Sequence, residues 1–340
     1  MKKVVTFGEI MLRLSTPGYQ RFVQCDSFDV CYAGGEANVS ISLANFGLDA
    51  SFVTKVPKNE IGQSAVNALR RYGVDTTYIA RGGSRLGIYF LETGASQRPS
   101  KVIYDRAGSA IAEATAADFN WQEIFKNCDW FHFTGITPAL SDQMAQVTLE
   151  ACKAAKAMGV TVSVDLNYRK KLWSPEKAGQ VMAGLMEYVD VCIGNEEDAE
   201  VVFGIKAAET DVTRGELDHA AYEDVAKQLC ERFNFKCAAI TLRESHSASV
   251  NGWSAMLYSN NKSYWSKHYN IHIVDRVGGG DSFAGGLIYG LLTEMGPQDS
   301  LEFAVAASAL KHTIPGDFNL VTKEEVETLM KGDGSGRVQR

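Results

Sequence analysis

The stretch D-R-V-G-G-G-D-S-F-A-G-G-L-I-Y-G-L-L at 275–292 concentrates the residue types that can do chemistry. Three consecutive glycines, Gly278, Gly279 and Gly280, precede Asp281, and Phe283, Leu287 and Leu291 then recur at helical spacing. Lacking side chains, such glycines let successive backbone N–H groups converge on one small volume, and a helix starting there adds its partial positive end. That combination suits an anion, either a bound phosphate or the charge developing on a phosphoryl group in transfer. Asp281 stands where its carboxylate can take a proton from a hydroxyl beside the hole. The same residues also fit a flexible turn followed by a helix with an acidic first turn, so this stretch alone leaves both readings open. It lacks the G-x-x-x-x-G-K-[ST] pattern, and it lies too far along the chain for a G-x-G-x-x-G dinucleotide turn.

A second stretch, A-G-G-E-A-N-V-S-I-S-L-A-N-F-G at 33–47, opens on Gly34 and Gly35, continues as a helix and closes at Gly47. N-E-E-D at 195–198 gathers acid where a helix N-terminus would favour it, and T-L-R-E-S at 241–245 ends a late strand. The two glycine stretches resemble the two signatures of the PfkB carbohydrate kinases, the ribokinase-like family, and N-E-E-D is similar to that family's N-x-x-E segment. The likeness extends over nearly the whole chain. It departs from the family at Arg276 (Thr is usual), Gly279 (Ala), Asp198 (Glu) and in T-L-R-E-S, where T-L-G is usual.

The resemblance implies transfer of the γ-phosphoryl of ATP to a sugar hydroxyl with Mg²⁺. Asp281 is then the general base and the backbone N–H groups of Gly278, Gly279 and Gly280 the anion hole. It further implies that Asn167, Asn195, Thr241 and Arg243, with Gly278 and Gly280, meet the nucleotide, and that Glu197 and Asp198 act on the metal through water. Within the family, G-G-E-A-N, I-Y-F (88–90), Y-D-R-A-G-S-A (104–110), T-G-I-T-P-A-L (134–140) and D-L-N-Y-R (165–169) are similar to kinases of 2-keto-3-deoxygluconate. Arg106 and Arg169 are expected to grip a planar carboxylate, a geometry that Lys cannot supply. Tyr89 and Tyr104 are expected to close over the sugar, Gly34 and Gly35 to allow its close approach, and Asn38 and Asp317 to hold its hydroxyls. Taken singly, these tyrosines also fit a packed sheet interface, the arginines a surface, and Asp317 a turn after Pro315-Gly316. Rival readings are a kinase of another sugar or keto-deoxy acid, and a non-catalytic sugar-binding protein; a binder has no need of the base.

The elements that must position these residues alternate. V-V-T-F (4–7), 51–56, 130–136, 160–167, 189–195 and 237–242 read as buried strands, and 61–72, 141–158 and 220–233 as helices. In 141–158, Met144, Val147, Ala151, Ala154 and Met158 share one face. This predicts an α/β fold with a mostly parallel sheet; the resemblance makes it a ribokinase-like three-layer sandwich with a small β-sheet lid. Residues 11–32 and 84–107 break the rhythm and are expected to form that lid as an antiparallel sheet. The core then comprises 1–10, 33–83 and 108–331, and 332–340 is a flexible tail. His132 reads as a core histidine, His312 as a stabiliser of a helix C-terminus, and Tyr258, Tyr264, Trp265 and Tyr269 as sheet packing.

The chain has 340 residues, with 34 Lys and Arg against 41 Asp and Glu, a net charge of −7. Such a balance argues against nucleic acid and anionic membranes as partners. It also means that an anionic ligand needs locally built positive charge, which the glycine turn, Arg106 and Arg169 would supply. M-K-K-V-V-T-F-G-E-I-M reads as a first buried strand rather than a secretory signal. Seven cysteines without a C-x-x-C pair predict reduced thiols in a cytoplasmic protein. An exposed lid face predicts a homo-oligomer, a dimer built through the lid.

Overall fold

The computed structural model describes residues 1–206, 219–332 and 334. The flexible tail expected at 332–340 therefore lies almost wholly outside the described residues. In chain order the strands are β1 (Lys3–Phe7), β2 (Met11–Ser15), β3 (Asp29–Ala33), β4 (Asp49–Val56), β5 (Ile79–Arg81), β6 (Gly87–Glu92) and β7 (Lys101–Asp105). They continue as β8 (Trp130–Thr134), β9 (Thr161–Asp165), β10 (Val191–Gly194), β11 (Cys237–Ser245), β12 (Val250–Ser259), β13 (Lys262–Trp265) and β14 (Tyr269–His272).

The large sheet runs β13-β12-β11-β10-β9-β8-β1-β4-β5, with β14 also on β12. It is parallel from β5 through β11 and antiparallel only around β12. Helices cover both faces, so the central strands are buried throughout; W-F-H-F-T of β8 has no exposed residue. Two hydrophobic clusters, one on each side, result: Phe131, Val162 and Met144 in one, Phe283, Leu287 and Phe303 in the other. Helix Asp142–Ala157 begins where the Ser141 hydroxyl accepts the Met144 N–H at 3.1 Å. Met144, Val147 and Ala151 are buried as the periodicity requires, but the helix ends at Ala157 and Met158 is 42% exposed.

From β1 the chain builds outward to β4 and β5, then returns to the other side of β1 and builds β8 to β11. The C-terminal ends of β1 and β8 thus flank a topological switch point, where α/β sheets open a crevice.

The second sheet has the order β3-β2-β6-β7 and is made of the two segments that break the alternation. It is mixed, not antiparallel: β2 pairs β3 and β6 pairs β7 in antiparallel fashion, while the central seam β2–β6 is parallel. The physical reason is that β2 and β6 are joined not by a turn but through β4, β5 and two helices of the core, a crossover that delivers the strands in one direction. Residues in register share a face. Leu12, Leu14, Val30, Ile88, Phe90 and Ile103 fall on one side; Arg13, Cys31, Tyr89 and Tyr104 fall on the other, toward the crevice.

Candidate active site

Asp281 sits in the first turn of helix Gly279–Leu292, partly buried at the switch point. Asn38, early in helix Gly35–Asn45, donates from Nδ2 to Asp281 Oδ2 at 2.7 Å, and its Oδ1 accepts the Gly34 N–H at 3.4 Å. Asn38 therefore orients the carboxylate instead of being left free for a sugar. The other oxygen, Oδ1, faces Gly35, where an added Cβ would stand 3.5 Å from it and 3.3 Å from Thr134 Cγ2. Burial pushes the Asp281 carboxyl up to about 7, with the Asp317 and Glu36 carboxylates adding to the shift and the Asn38 hydrogen bond opposing it. A carboxylate poised there is ionised often enough, and basic enough, to serve as a general base near neutrality.

The three glycines before it do three different things. Gly278 caps the helix at φ 84°, and a Cβ there would stand 2.1 Å from the Asp317 carbonyl oxygen. Both the left-handed backbone and the contact with main chain require glycine. At Gly279 the space is filled by the His312 ring, whose Cε1 would lie 2.4 Å from an added Cβ. Gly280 has no heavy atom within 4 Å of that position, so it is the glycine that opens onto free space. The Gly279 N–H is returned to Arg276 O at 3.3 Å, whereas the N–H groups of Gly278, Gly280 and Asp281 reach no backbone acceptor among the described residues. Of the three glycines, Gly278 and Gly280 thus keep open N–H groups, and Asp281 adds a third.

A cleft of about 860 Å³ is lined in part by Tyr104, Arg106, Arg169, Asn195, Glu197 and Asp198. Arg169 is exposed in it, giving one hydrogen bond to the Tyr168 carbonyl at 3.0 Å, and its charge acts on Asp165, Asp198 and Asp281. Arg106 is in a different state. Its Nε donates to Glu9 Oε2 at 2.8 Å, a terminal nitrogen reaches the same oxygen, and the guanidinium lies 5.2 Å from the Tyr104 ring. Glu9, 2% exposed and also bonded to Ser109, thus pairs with Arg106, whereas Arg169 has no ion pair among the described residues.

Tyr89 and Asp317 likewise meet each other. The Tyr89 hydroxyl donates to Asp317 Oδ2 at 2.6 Å, while Asp317 Oδ1 pairs with Arg13, whose other nitrogen reaches Asp275 Oδ2 at 2.5 Å. Burial works against the Arg13 charge, but Asp317, Tyr89 and Asp275 outweigh it and raise its pKa further. Buried against lid and core at once, this network joins β2 and β6 to the glycine turn.

Of the residues expected at the nucleotide, Asn167 adopts φ 40° just past β9, and Asn195 caps helix Glu196–Phe203 by accepting the Asp198 N–H at 2.7 Å. The Thr241 hydroxyl donates to Gly194 O at 3.4 Å, and the Arg243 guanidinium lies 5.5 Å from the Trp253 ring. Asp198 accepts the Tyr168 N–H at 3.1 Å; burial pushes its carboxyl up to about 6, against the pull of Arg169. Among the described residues no three His, Cys, Asp or Glu side chains converge to hold a metal ion. Exposed Glu197 beside Asp198 fits a cation held largely by water and phosphate, as Mg²⁺ prefers.

His132 is a core residue as expected: its Nδ1 lies 2.8 Å from Ser163 Oγ, and burial pushes it down to about 3. His312 caps the end of helix Pro297–Lys311 as expected, its Nδ1 lying 2.7 Å from Ser308 O; burial pushes it down to about 4, so it does so as a hydrogen-bonding ring packed under Gly279 rather than through charge.

Four residues with roles here carried no sequence signal that was read. Arg13 and Glu9 find partners 304 and 97 residues away. Glu36, inside G-G-E-A-N, accepts from Thr134 N and Oγ1 at 2.9 and 2.8 Å and from Thr137 Oγ1 at 2.6 Å. Asp165, at the end of β9, is 9% exposed, and burial with Asp198 and Asp281 nearby raises it well above the ordinary carboxylate range. A charge at an inward position of an alternating strand, as in M-L-R-L-S, was the available hint for Arg13.

A buried carboxylate at the switch point of a parallel sheet, beside open N–H groups at a glycine-built helix start and under a small second sheet, is the arrangement of a ribokinase-like fold. The pfkB family carbohydrate kinase pattern matches residues 1–323, and the chain belongs to that family. It is 32% identical over 334 residues to a 2-dehydro-3-deoxygalactonokinase from Haloferax volcanii, covering 98% of each chain. It is 57% identical to the crystal structure of a 2-dehydro-3-deoxygluconokinase from Thermotoga maritima, with a TM-score of 0.94 over 97% of this chain and 98% of that one. A fructokinase from Xylella fastidiosa with bound ATP shares the fold at 21% identity, with a TM-score of 0.77 over 97% and 98%.

Proposed function

We propose that this sugar kinase transfers the γ-phosphoryl of ATP to the 6-hydroxyl of 2-keto-3-deoxy-D-gluconate. The observation that carries the reading is Asp281, oriented by Asn38 and under the influence of the charge of Arg169, which has no ion-pair partner among the described residues. The sugar hydroxyl lies between Gly35 and Asp281 Oδ1 and loses its proton to that oxygen. Its oxygen bonds to the γ-phosphorus as the bond to the ADP oxygen breaks. The N–H groups of Gly280 and Asp281, with the helix start, face the charge on the transferring group. Mg²⁺ neutralises phosphate charge when bound, with Glu197 and Asp198 holding it through water. Arg169 holds the substrate carboxylate; Arg106, fixed by Glu9, supports the Tyr104 ring beside it. The identity of the substrate rests on the relatives' names together with this arginine.

The test is ADP release with 2-keto-3-deoxygluconate against fructose, ribose and adenosine. Preference for the keto acid is expected, and its absence overturns the reading. The galactonate epimer belongs in the same assay, because the Haloferax relative is named for it and Arg169 reads a carboxylate that both epimers share.

The same reading divides the chain into a core of 1–10, 33–83 and 108–331 and a lid of 11–32 and 84–107, acting as a homodimer. Supporting the dimer is the apolar outer face of the lid, where Val30 is 62% and Ile103 53% exposed. The seven free thiols suit a reducing, cytoplasmic setting; no helix of the described residues is long and apolar enough to cross a membrane.

A further inference from the structure

Lys311 ends helix Pro297–Lys311 and is 0% exposed. Lysines are almost never buried so fully without a carboxylate partner. This one instead donates from Nζ to two backbone carbonyls, Asp275 O at 3.0 Å and Ile314 O at 3.4 Å. The Asp275 carboxylate is spent elsewhere, on Arg13 at 2.5 Å, the Gly316 N–H at 3.0 Å and the Val277 N–H at 3.1 Å. Burial lowers the Lys311 pKa and Arg13 adds to that, while Asp275, Asp317 and Asp281 favour the charged form.

The two carbonyls belong to the two turns that meet under the anion hole. Asp275 begins the turn leading into Gly278, and Ile314 lies in the turn before Asp317, whose carbonyl packs on Gly278. The same helix supports the turn twice more, through Ser308 Oγ donating to Gly279 O at 2.7 Å and through the His312 ring under Gly279. An ammonium among carbonyl oxygens at this spot does what a dehydrated monovalent cation would do, with the difference that it is tethered.

We propose that Lys311 is a built-in monovalent cation, a positioning residue that locks the 275–278 turn so that the N–H groups of Gly280 and Asp281 face the phosphoryl group without an added ion. The proposal rests on the reading of that turn as the phosphoryl site, whose own failure would show separately, as absence of sugar-dependent ADP release by the wild type.

The first test uses the unmodified enzyme. With tetramethylammonium as the monovalent cation, turnover should equal that in K⁺ or NH₄⁺; stimulation of several-fold by K⁺ or NH₄⁺ overturns the proposal. The second test uses Lys311→Met. In tetramethylammonium its kcat should fall about tenfold, less than the 10²–10³-fold typical of deleting an oxyanion donor itself. Added NH₄⁺ or K⁺ should restore part of the loss and raise the variant's Tm, neither of which occurs for the wild type. Wild-type kcat for the variant in tetramethylammonium, or a folded variant whose kcat and Tm both ignore NH₄⁺ and K⁺, refutes it. Should the variant not fold, the wild-type cation series still decides.

Discussion

The glycine turn and the lid sheet face each other across the crevice and are built on opposite principles. On the turn, the groups left open are main-chain N–H groups, fixed by a left-handed Gly278 and by the side chains of Ser308, Lys311 and His312 beneath. Across the crevice the groups are side chains, Tyr89, Tyr104 and Arg106, and two of these three are committed to other residues through hydrogen bonds. Main chain shapes the first region, apart from the Asp281 carboxylate, and side chains shape the second.

Asp281→Asn removes the base while keeping a hydrogen-bonding amide beside Asn38, and should lower turnover by about 10²–10⁴-fold with sugar and ATP still bound. Calorimetric binding alongside steady-state rates checks it, and undiminished turnover removes Asp281 from the mechanism. Because the carboxyl titrates at about 7 and acts when ionised, wild-type kcat/KM should fall as pH drops through that value and level off above it. In the variant that limb should vanish.

The next largest effect concerns the seam between the regions. Asp317→Ala leaves Arg13 buried with Asp275 alone and frees the Tyr89 hydroxyl, and should cost about 3–5 kcal/mol in denaturant unfolding. A loss under about 1 kcal/mol would mean that lid and turn are not coupled through this pair. Arg169→Ala should raise KM for the keto acid by about one to two orders of magnitude, the range for a lost hydrogen bond to a charged group. Arg106→Ala should instead disturb Glu9 and the packing of Tyr104, so equal KM effects from the two would restore the two-arginine clamp. Smallest of all, Val30→Lys on the outer lid face should shift sedimentation toward monomer while changing kcat about twofold or less, surface changes being close to neutral.

The same contrast explains what could be read in the chain. Local signals suffice for a glycine-built helix start, since three glycines, an acid and helical spacing lie within one stretch; that Asn38 bonds Asp281 rather than a sugar was not legible there. The six core strands were legible because burial on both faces writes continuous apolar runs. The lid's polarity was not, since the parallel β2–β6 seam depends on chain that passes through the core between them. Nor were the commitments of Arg106, Tyr89 and Asp317, because Glu9 and Arg13 have no sequence neighbour that points to them. A side chain's availability depends on distant partners; a glycine's conformation depends on its neighbours.

The parallel seam also governs how the lid can move. A hairpin flap hangs from two adjacent hinges and can peel from its tip. This sheet enters and leaves the core next to Met11, Ala33, Gly87 and Asp105, with its two central strands fed from the same end. Peeling one edge would leave the other three crossings in place. The sheet therefore tilts as one board, and access to the crevice is set by a rotation of the whole lid, not by the unzipping of a strand.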